Sequence, residues 1–137
     1  MQSETFRVPA HIDTVRKVTR IAAEYAASAG LSEDAVFECR LAVDEACMNI
    51  IEHAYDFDES AVIEVHLEAH HGEWHMHLTD FGEAYDPDTV DMRPLRSRDI
   101  NQLQPGGLGL YLMHRVMDEV HYTASPHGNR LVMVKRR

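Results

Sequence analysis

A chain of 137 residues, 45% of them hydrophobic, is long enough to bury one substantial core and too apolar to be disordered. Its formal charge of −10 argues against a nucleic-acid binder, which needs a basic face for phosphates. Neither a long apolar run nor a signal peptide is evident, so we expect one cytoplasmic domain over residues 1–137, without a membrane partner.

The first part of the chain predicts an edge strand followed by two helices. The strand is expected over Glu4–Val8, and apolar spacing predicts a helix over Ile12–Ala29 that Gly30 stops. Ser32 is a typical N-cap for a second helix that should run to about Ala54. The predicted inner sides of the two helices are Val15, Val18, Ile21, Ala22 and Tyr25, and then Val36, Val43, Cys47, Ile50 and Ala54.

Two amphipathic strands are predicted next. Apolar residues alternate with His and Glu over 63–68 and 74–79, and His71-Gly72 between them is typical of a hairpin turn. One apolar and one polar face indicate an antiparallel sheet that helices cover on one side. Asp80 continues the apolar side of the second strand, so its carboxylate should need a partner or a ligand.

The last part of the chain combines a long loop with a helix and two strands. Residues 83–107 are rich in Pro and Gly and poorly periodic, which is typical of a functional lid. A helix is predicted over Leu108–Met117, and strands over Val120–Thr123 and Leu131–Lys135. The predicted fold class is therefore α+β, a two-layer sandwich with helices packed on one face of a mostly antiparallel sheet.

The cysteines and histidines suggest no special chemistry. Cys39 and Cys47 are eight residues apart on one predicted helix, about 12 Å, which is too far for a disulfide. Imidazoles sharing the polar sheet face could bind zinc. No supporting carboxylate or Cys is evident at ligand spacing, so a solvated polar face is the favoured interpretation. The histidines concerned are His66, His70, His75 and His77.

The second helix carries a row of polar residues. Glu45, Asn49 and His53 are four residues apart and share one side of the helix. That side is opposite the predicted inner stripe, so on this helix alone a solvated face is the simpler interpretation. The alternative is a carboxylate base beside an amide oxygen that binds magnesium.

Two further motifs could bind a ligand. Asp80 could accept a hydrogen bond from an amino group on a base, and Gly82 would let a flat ligand approach the backbone. Glycines at 106, 107 and 109 precede a predicted helix, where backbone N–H groups can bind an anion. A plain glycine-rich helix entry is the alternative, and the pattern is neither a Walker A loop nor a Rossmann fingerprint.

Together and in order, these motifs resemble the boxes of the GHKL ATPases. EACMNIIEHAY (45–55) resembles the N box, DFGEAYDP (80–87) the G1 box and PGGLGLYLMHRVMDEV (105–120) the G2 box. The similarity runs from about Glu4 to the end of the chain. It is greatest to the small bacterial anti-sigma factor serine/threonine kinases of partner-switching systems.

This resemblance implies a Bergerat-type fold that binds ATP between the sheet and the lid. It implies Asn49 as the Mg²⁺ ligand, Glu45 as the residue that activates the acceptor hydroxyl, and Asp80 as the reader of the adenine amino group. Asn129 stands where the kinases often have Thr. The nucleotide-binding positions implied besides Asn49 and Asp80 are His53, Gly82, Asp86, Gly106, Gly107, Leu108, Gly109, Leu110 and Asn129.

The implied function is that of an ATP-dependent serine/threonine kinase and anti-sigma factor. It would act as a homodimer, phosphorylate a small anti-anti-sigma (STAS-type) protein and bind a sigma factor. A nucleotide-gated binding module without catalysis, or a kinase of another regulator, remains an alternative. Arg16 and Arg20 share one side of the first helix and could contact a partner or simply be solvated. The lid arginines, which could reach phosphates or a partner, are Arg93, Arg96 and Arg98.

Overall fold

The computed structural model describes residues 1–83 and 107–137. Asp86, Gly106 and the three lid arginines lie outside the described residues, as does almost all of the predicted lid. The elements are, in chain order, β1 (Gln2–Pro9), α1 (Ile12–Ser28), α2 (Glu33–Asn49), a π-helical turn (Ile50–Ala54), β2 (Val62–His70), β3 (Glu73–Asp80), α3 (Gly107–Val116), β4 (Glu119–Ser125) and β5 (Gly128–Arg136).

The strands form one sheet in the order β1-β2-β3-β5-β4, and every neighbouring pair is antiparallel. Every second side chain of β2 and β3 is buried, and Trp74, Met76, Leu78 and Asp80 belong to the buried set. The intervening His and Glu side chains are half-buried on the opposite face, which we call the outer face. The predicted α+β fold class, with helices on one face of the sheet, is confirmed.

The helices begin where the sequence predicts, but their buried sides differ in part. Ser32 caps α2 by accepting a hydrogen bond from Ala35 N at 3.1 Å. Thr19 is buried, which its polar side chain did not indicate, because its hydroxyl donates to Asp44 Oδ1 of α2 at 2.6 Å. The predicted inner residues that are only half-buried are Ile21, Tyr25, Val36 and Ala54.

The predicted end of the second helix at about Ala54 is confirmed, but its last turn, Ile50–Ala54, is π-helical rather than α-helical. The backbone widens into a π-helical turn at Ile50, and Tyr55 N donates to Ile50 O at 3.1 Å. Single π turns inside helices occur frequently at functional sites. Here tertiary contacts of Tyr55 override the local helical pattern, since its hydroxyl donates to Val62 O at 2.5 Å and accepts from Phe81 N at 2.8 Å.

Both cysteines are buried in the core and free of any disulfide, as predicted. Burial raises the pKa of each thiol to about 12, so both are poor nucleophiles and poor metal ligands at neutral pH. Over the described ranges, no helix has the length and hydropathy needed to cross a bilayer.

Candidate nucleotide-binding site

A buried carboxylate and a buried amide face each other where β3 ends and β5 begins. Asp80 and Asn129 are opposite each other in the antiparallel register, and each is about 95% buried. Asn129 Nδ2 donates to Asp80 Oδ1 at 2.9 Å, and Gly82 N donates to the same oxygen at 3.0 Å. Both bonds end on Oδ1, so Oδ2 is the oxygen that can accept from a ligand.

The protonation of Asp80 reflects this environment. Burial raises the pKa of the carboxyl above its usual value, and the hydrogen bonds from Asn129 and Gly82 partly oppose that shift. A buried carboxylate that accepts only two hydrogen bonds, both from neutral donors, can accept a further one. An amino group of a planar base is a chemically suitable donor for it.

The backbone beside Asp80 requires glycine at two positions. A Cβ on Gly82 would lie 2.2 Å from Ala54 O, so the end of β3 can approach the π-helical turn only without a side chain. Gly82 O also accepts from Asn129 Nδ2 at 3.0 Å. Gly128 has φ +134, and a Cβ there would lie 3.1 Å from Asp80 O. Glycine is therefore needed at position 82 because Ala54 fills the space beside it. The sequence analysis gave a different reason, the approach of a flat ligand to the backbone.

Tyr55 is a site residue that the sequence reasoning did not single out. Its hydroxyl joins the π-helical turn to β2 and to the residue after Asp80. The aromatic ring lies 2.8 Å from the position of a Gly82 Cβ. The sequence feature that could have identified Tyr55 is its position directly after His53 and Ala54, at the end of the first motif. A half-buried Tyr hydroxyl usually has a hydrogen-bond partner, so a structural role could have been inferred.

Asn49 lies at the last position of α2, directly before the π-helical turn. It is half-buried, and its Nδ2 is a buried atom with no hydrogen-bond partner among the described residues. A buried polar atom without a partner is destabilising unless a ligand satisfies it. Since amide nitrogen and oxygen exchange by rotation, either atom can occupy this position. The solvated-face interpretation is therefore wrong for Asn49.

The Asn49 amide fits a magnesium ligand. Magnesium takes few ligands from protein and the rest from water and phosphate oxygens, so one amide oxygen is a sufficient protein contribution. Glu45, one turn earlier in α2, is half-buried as well. The carboxylate and the amide are therefore both partly withdrawn from solvent along one side of α2.

For the remaining predicted positions, the structure gives the element on which each residue lies. Gly107, Leu108, Gly109 and Leu110 form the first turn of α3, which packs against α2. A helix N-terminus with glycines is suited to phosphate binding, because its backbone N–H groups lack intrahelical partners. His53 lies in the π-helical turn with an exposed side chain, and Arg16 and Arg20 are exposed on α1 as expected.

Fold and site define a class of protein. Helices cover one face of an antiparallel sheet, α2 ends at Asn49, β3 ends at Asp80, and α3 begins with glycines. Residues 8–135 match the family model described as "Histidine kinase-like ATPase domain". The chain belongs to this family, whose description implies ATP as the nucleotide.

Comparisons with individual proteins narrow the class. The chain is 32% identical over 117 residues to "Serine-protein kinase RsbW" of Bacillus subtilis, which covers 83% of this chain and 73% of the relative. It is 36% identical over 97 residues to "Serine/threonine-protein kinase BtrW" of Bordetella bronchiseptica, which covers 71% of this chain and 68% of the relative. These names agree with the kinase class predicted from the sequence.

A solved structure supports the fold. The crystal structure of the RsbU and RsbW domains of a Mycobacterium tuberculosis protein superposes with a TM-score of 0.69 at 18% identity. The match covers 99% of this chain and 32% of that one, so this chain spans about a third of the larger protein. At this identity the likeness concerns the fold alone.

Proposed function

We propose that this protein is an ATP-dependent serine/threonine kinase of a small regulatory protein, and that it also binds a sigma factor in a partner-switching system. The observation that carries the proposal is the Asp80–Asn129–Gly82 arrangement, because the hydrogen bonds that Asp80 accepts within residues 1–83 and 107–137 all end on Oδ1 and leave its buried Oδ2 available to a ligand. The named relatives, serine- and serine/threonine-protein kinases, support the reaction class.

Each site residue has a role in this proposal. Asp80 accepts from the adenine amino group, Asn129 holds the carboxylate in place, and the first turn of α3 binds phosphate oxygens. Asn49 would hold Mg²⁺, which would supply positive charge beside the transferred phosphoryl group. Glu45 orients the acceptor hydroxyl and takes its proton.

The role of Asp80 is tested by calorimetry with MgATP. Asp80→Asn nearly preserves shape, and its amide oxygen can still accept from Asn129 and Gly82. It replaces the free acceptor by a donor, so ATP affinity should fall roughly a hundredfold or more. Glu73→Gln, at the opposite end of β3, is the matched control and should bind ATP like wild type. Wild-type protein that binds no ATP, or equal binding by wild type and Asp80→Asn, would reject the assignment.

A Glu45 variant distinguishes a kinase from a nucleotide-binding module without catalysis. Glu45→Gln should bind ATP normally and transfer phosphate to a co-purified regulator at least about a hundredfold more slowly. Glu33→Gln, in the exposed first turn of the same helix, is the control and should transfer at the wild-type rate. ATP binding without transfer by wild type would favour the binding module.

The partner surface is tested on α1. We propose that the protein is a homodimer and that Arg16 and Arg20 grip a carboxylate or phosphate of a partner. Arg16→Glu with Arg20→Glu should weaken pull-down of the regulator and leave ATP affinity unchanged. Arg40→Glu with Arg115→Glu makes the same charge change at exposed positions on α2 and α3 and should retain the regulator. Equal retention by both double variants would return Arg16 and Arg20 to a solvated role.

A further inference from the structure

The tip of the β2–β3 hairpin brings three potential metal ligands together on the outer face. His70 and Glu73 are opposite each other across the strand pair, and His75 follows on the same face of β3. The sequence interpretation missed this carboxylate, although Glu73 and His75 share one face of the same strand; Glu73 comes close to His70 as well when the turn at 71–72 folds back. The expectation that no carboxylate stands at ligand spacing is therefore wrong.

The three side chains have a geometry close to that of a metal site. One donor atom from each of His70, Glu73 and His75 can be chosen so that all three lie within 4.8 Å of one another. The two imidazole rings are stacked, with centroids 5.5 Å apart and planes inclined by 14°. His75 Nε2 lies 3.7 Å from Glu73 Oε1, a separation that a shared cation would shorten. Binding of one ion would require these half-buried side chains to reorient and bring their donor atoms closer together.

A second observation concerns the Nε2 atom of His75. This atom is buried and has no hydrogen-bond partner within residues 1–83 and 107–137. Leaving such an atom unsatisfied is unfavourable, whereas a metal ion would use its lone pair. Asn49 and His75 are the two described residues that show this feature. The unpartnered atom of Asn49 lies at the proposed magnesium ligand. The same feature in a His-Glu-His cluster therefore points to a second metal site.

The charge around the cluster admits a cation. Arg136 Nε donates to Glu73 Oε1 at 3.0 Å, and the same guanidinium pairs with Glu119. Two carboxylates around one guanidinium leave one negative charge beside the imidazoles. Arg136 also fixes the orientation of the Glu73 carboxylate, as hydrogen-bonding partners of metal ligands commonly do. Glu73 Oε1, the oxygen nearest His75 Nε2, would then accept from Arg136 and also contact the ion.

We propose that His70, Glu73 and His75 bind a divalent transition-metal ion, and zinc fits them best. Two imidazoles and one carboxylate form a donor set of zinc sites that keep an open fourth position, which water or a donor from a partner protein fills. Glu73 and Asp80 stand at opposite ends of β3, about 20 Å apart along the strand, and on opposite faces of the sheet. The metal site is therefore separate from the nucleotide site.

The test uses the full chain without a histidine tag. Zinc chloride titrated into apo protein should bind at one ion per chain in calorimetry, and cobalt should give the absorption bands of a low-coordinate site. His75→Ala and Glu73→Gln should each weaken zinc binding by roughly tenfold or more, since even partners of the ligands contribute about that much. His127→Ala removes an exposed histidine from the β4–β5 turn and should bind zinc like wild type.

Three results would overturn the proposal. The first is wild-type protein that binds no zinc at micromolar concentrations. The second is zinc binding that survives in His75→Ala and disappears in His66→Ala, which would move the ion to the neighbouring histidines. The third is an equal loss in His127→Ala, which would indicate unspecific binding to surface histidines. MgATP affinity is measured in parallel, and its loss in His75→Ala would contradict the separation of the two sites.

Discussion

The two ends of β3 each carry a carboxylate, and the two have opposite surroundings. Asp80 faces the helices, is about 95% buried and accepts from neutral donors. Glu73 faces the open side, accepts from Arg136 and lies beside two imidazoles. They are seven positions apart along the strand, an odd offset, so strand alternation places them on opposite faces. The comparison shows that the face of the sheet on which a carboxylate lies determines its surroundings. The buried carboxylate is suited to accept from a neutral amino group, and the one on the outer face is suited to bind a cation.

The largest expected effect comes from glycines at these two ends. Gly82→Ala would place a Cβ 2.2 Å from a backbone carbonyl, Ala54 O, and neither atom can rotate away. We expect a loss of about 3 kcal/mol in the free energy of unfolding, together with loss of ATP binding. The measurement is urea unfolding combined with MgATP calorimetry.

The control is the glycine at the other end. Gly72→Ala meets Arg137 Cβ at 3.2 Å and has φ +82, so it should cost about 1 kcal/mol through backbone strain and leave ATP binding intact. Equal stability losses at Gly82 and Gly72, or normal ATP binding by Gly82→Ala, would show that the junction with Ala54 does not shape the nucleotide site.

The second expected effect compares the partners of the two carboxylates. Asn129→Ala removes two buried hydrogen bonds and leaves Asp80 with one, which should cost about 2 kcal/mol. Arg136→Ala removes solvent-exposed ion pairs with Glu73 and Glu119, which usually contribute little to stability. Thermal unfolding of both variants measures the difference. A larger loss of stability in Arg136→Ala than in Asn129→Ala would mean that the partner of Glu73, and not that of Asp80, contributes more to the stability of the fold.

Sequence patterns predicted much of the fold. Alternation in β2 and β3 and the caps of α2 are local signals, and the structure confirms the strands, the hairpin turn and Ser32 as the N-cap. The burial of Asp80 followed from its parity with Trp74 and Leu78. Such properties are predictable because they depend on neighbours in sequence.

What could not be predicted depends on contacts between distant segments. The π-helical turn accompanies hydrogen bonds of the Tyr55 hydroxyl, which donates to Val62 and accepts from Phe81, and Thr19 is buried because its hydroxyl donates a hydrogen bond to Asp44 of another helix. The pairing of Asn129 with Asp80 likewise needs the β3–β5 register. The roles of Glu45 and Asn49 in the nucleotide site stay predictions that rest on the motif resemblance.

The third expected effect is a dependence of stability on pH at the Asp80 end. Burial raises the folded-state pKa of Asp80 above the usual value of 3.8, so its contribution to stability is full below about pH 4 and lost as pH rises through the folded-state pKa. Asp80→Asn removes that loss. The variant should therefore gain stability relative to wild type between pH 4 and pH 7, by less than the Asn129→Ala effect.

Urea unfolding at several pH values measures this difference. Glu73→Gln is the control, because Glu73 lies on the outer face among charged partners. A stability difference between Asp80→Asn and wild type that stays constant from pH 4 to pH 7 would mean that burial does not shift the titration of Asp80. A decreasing difference would mean that its hydrogen bonds dominate over burial.

The smallest expected effect is at the tip of the hairpin, the end of β3 away from the nucleotide site. His71 has φ 41 and Gly72 has φ 82, the combination of a type I′ turn, for which Asn-Gly is preferred. His71→Asn should stabilise the fold by roughly 0.5 kcal/mol, because Asn tolerates the left-handed conformation better than His does. His127→Asn is the matched control, since His127 is exposed and is not among the described residues with positive φ. His71 lies outside the His70–Glu73–His75 cluster, so zinc affinity and ATP affinity should both equal those of wild type. If His71→Asn instead weakens zinc binding, the turn residue takes part in the metal site and the ligand set must be enlarged. If it gains no more stability than His127→Asn, the backbone conformation at His71 is not strained.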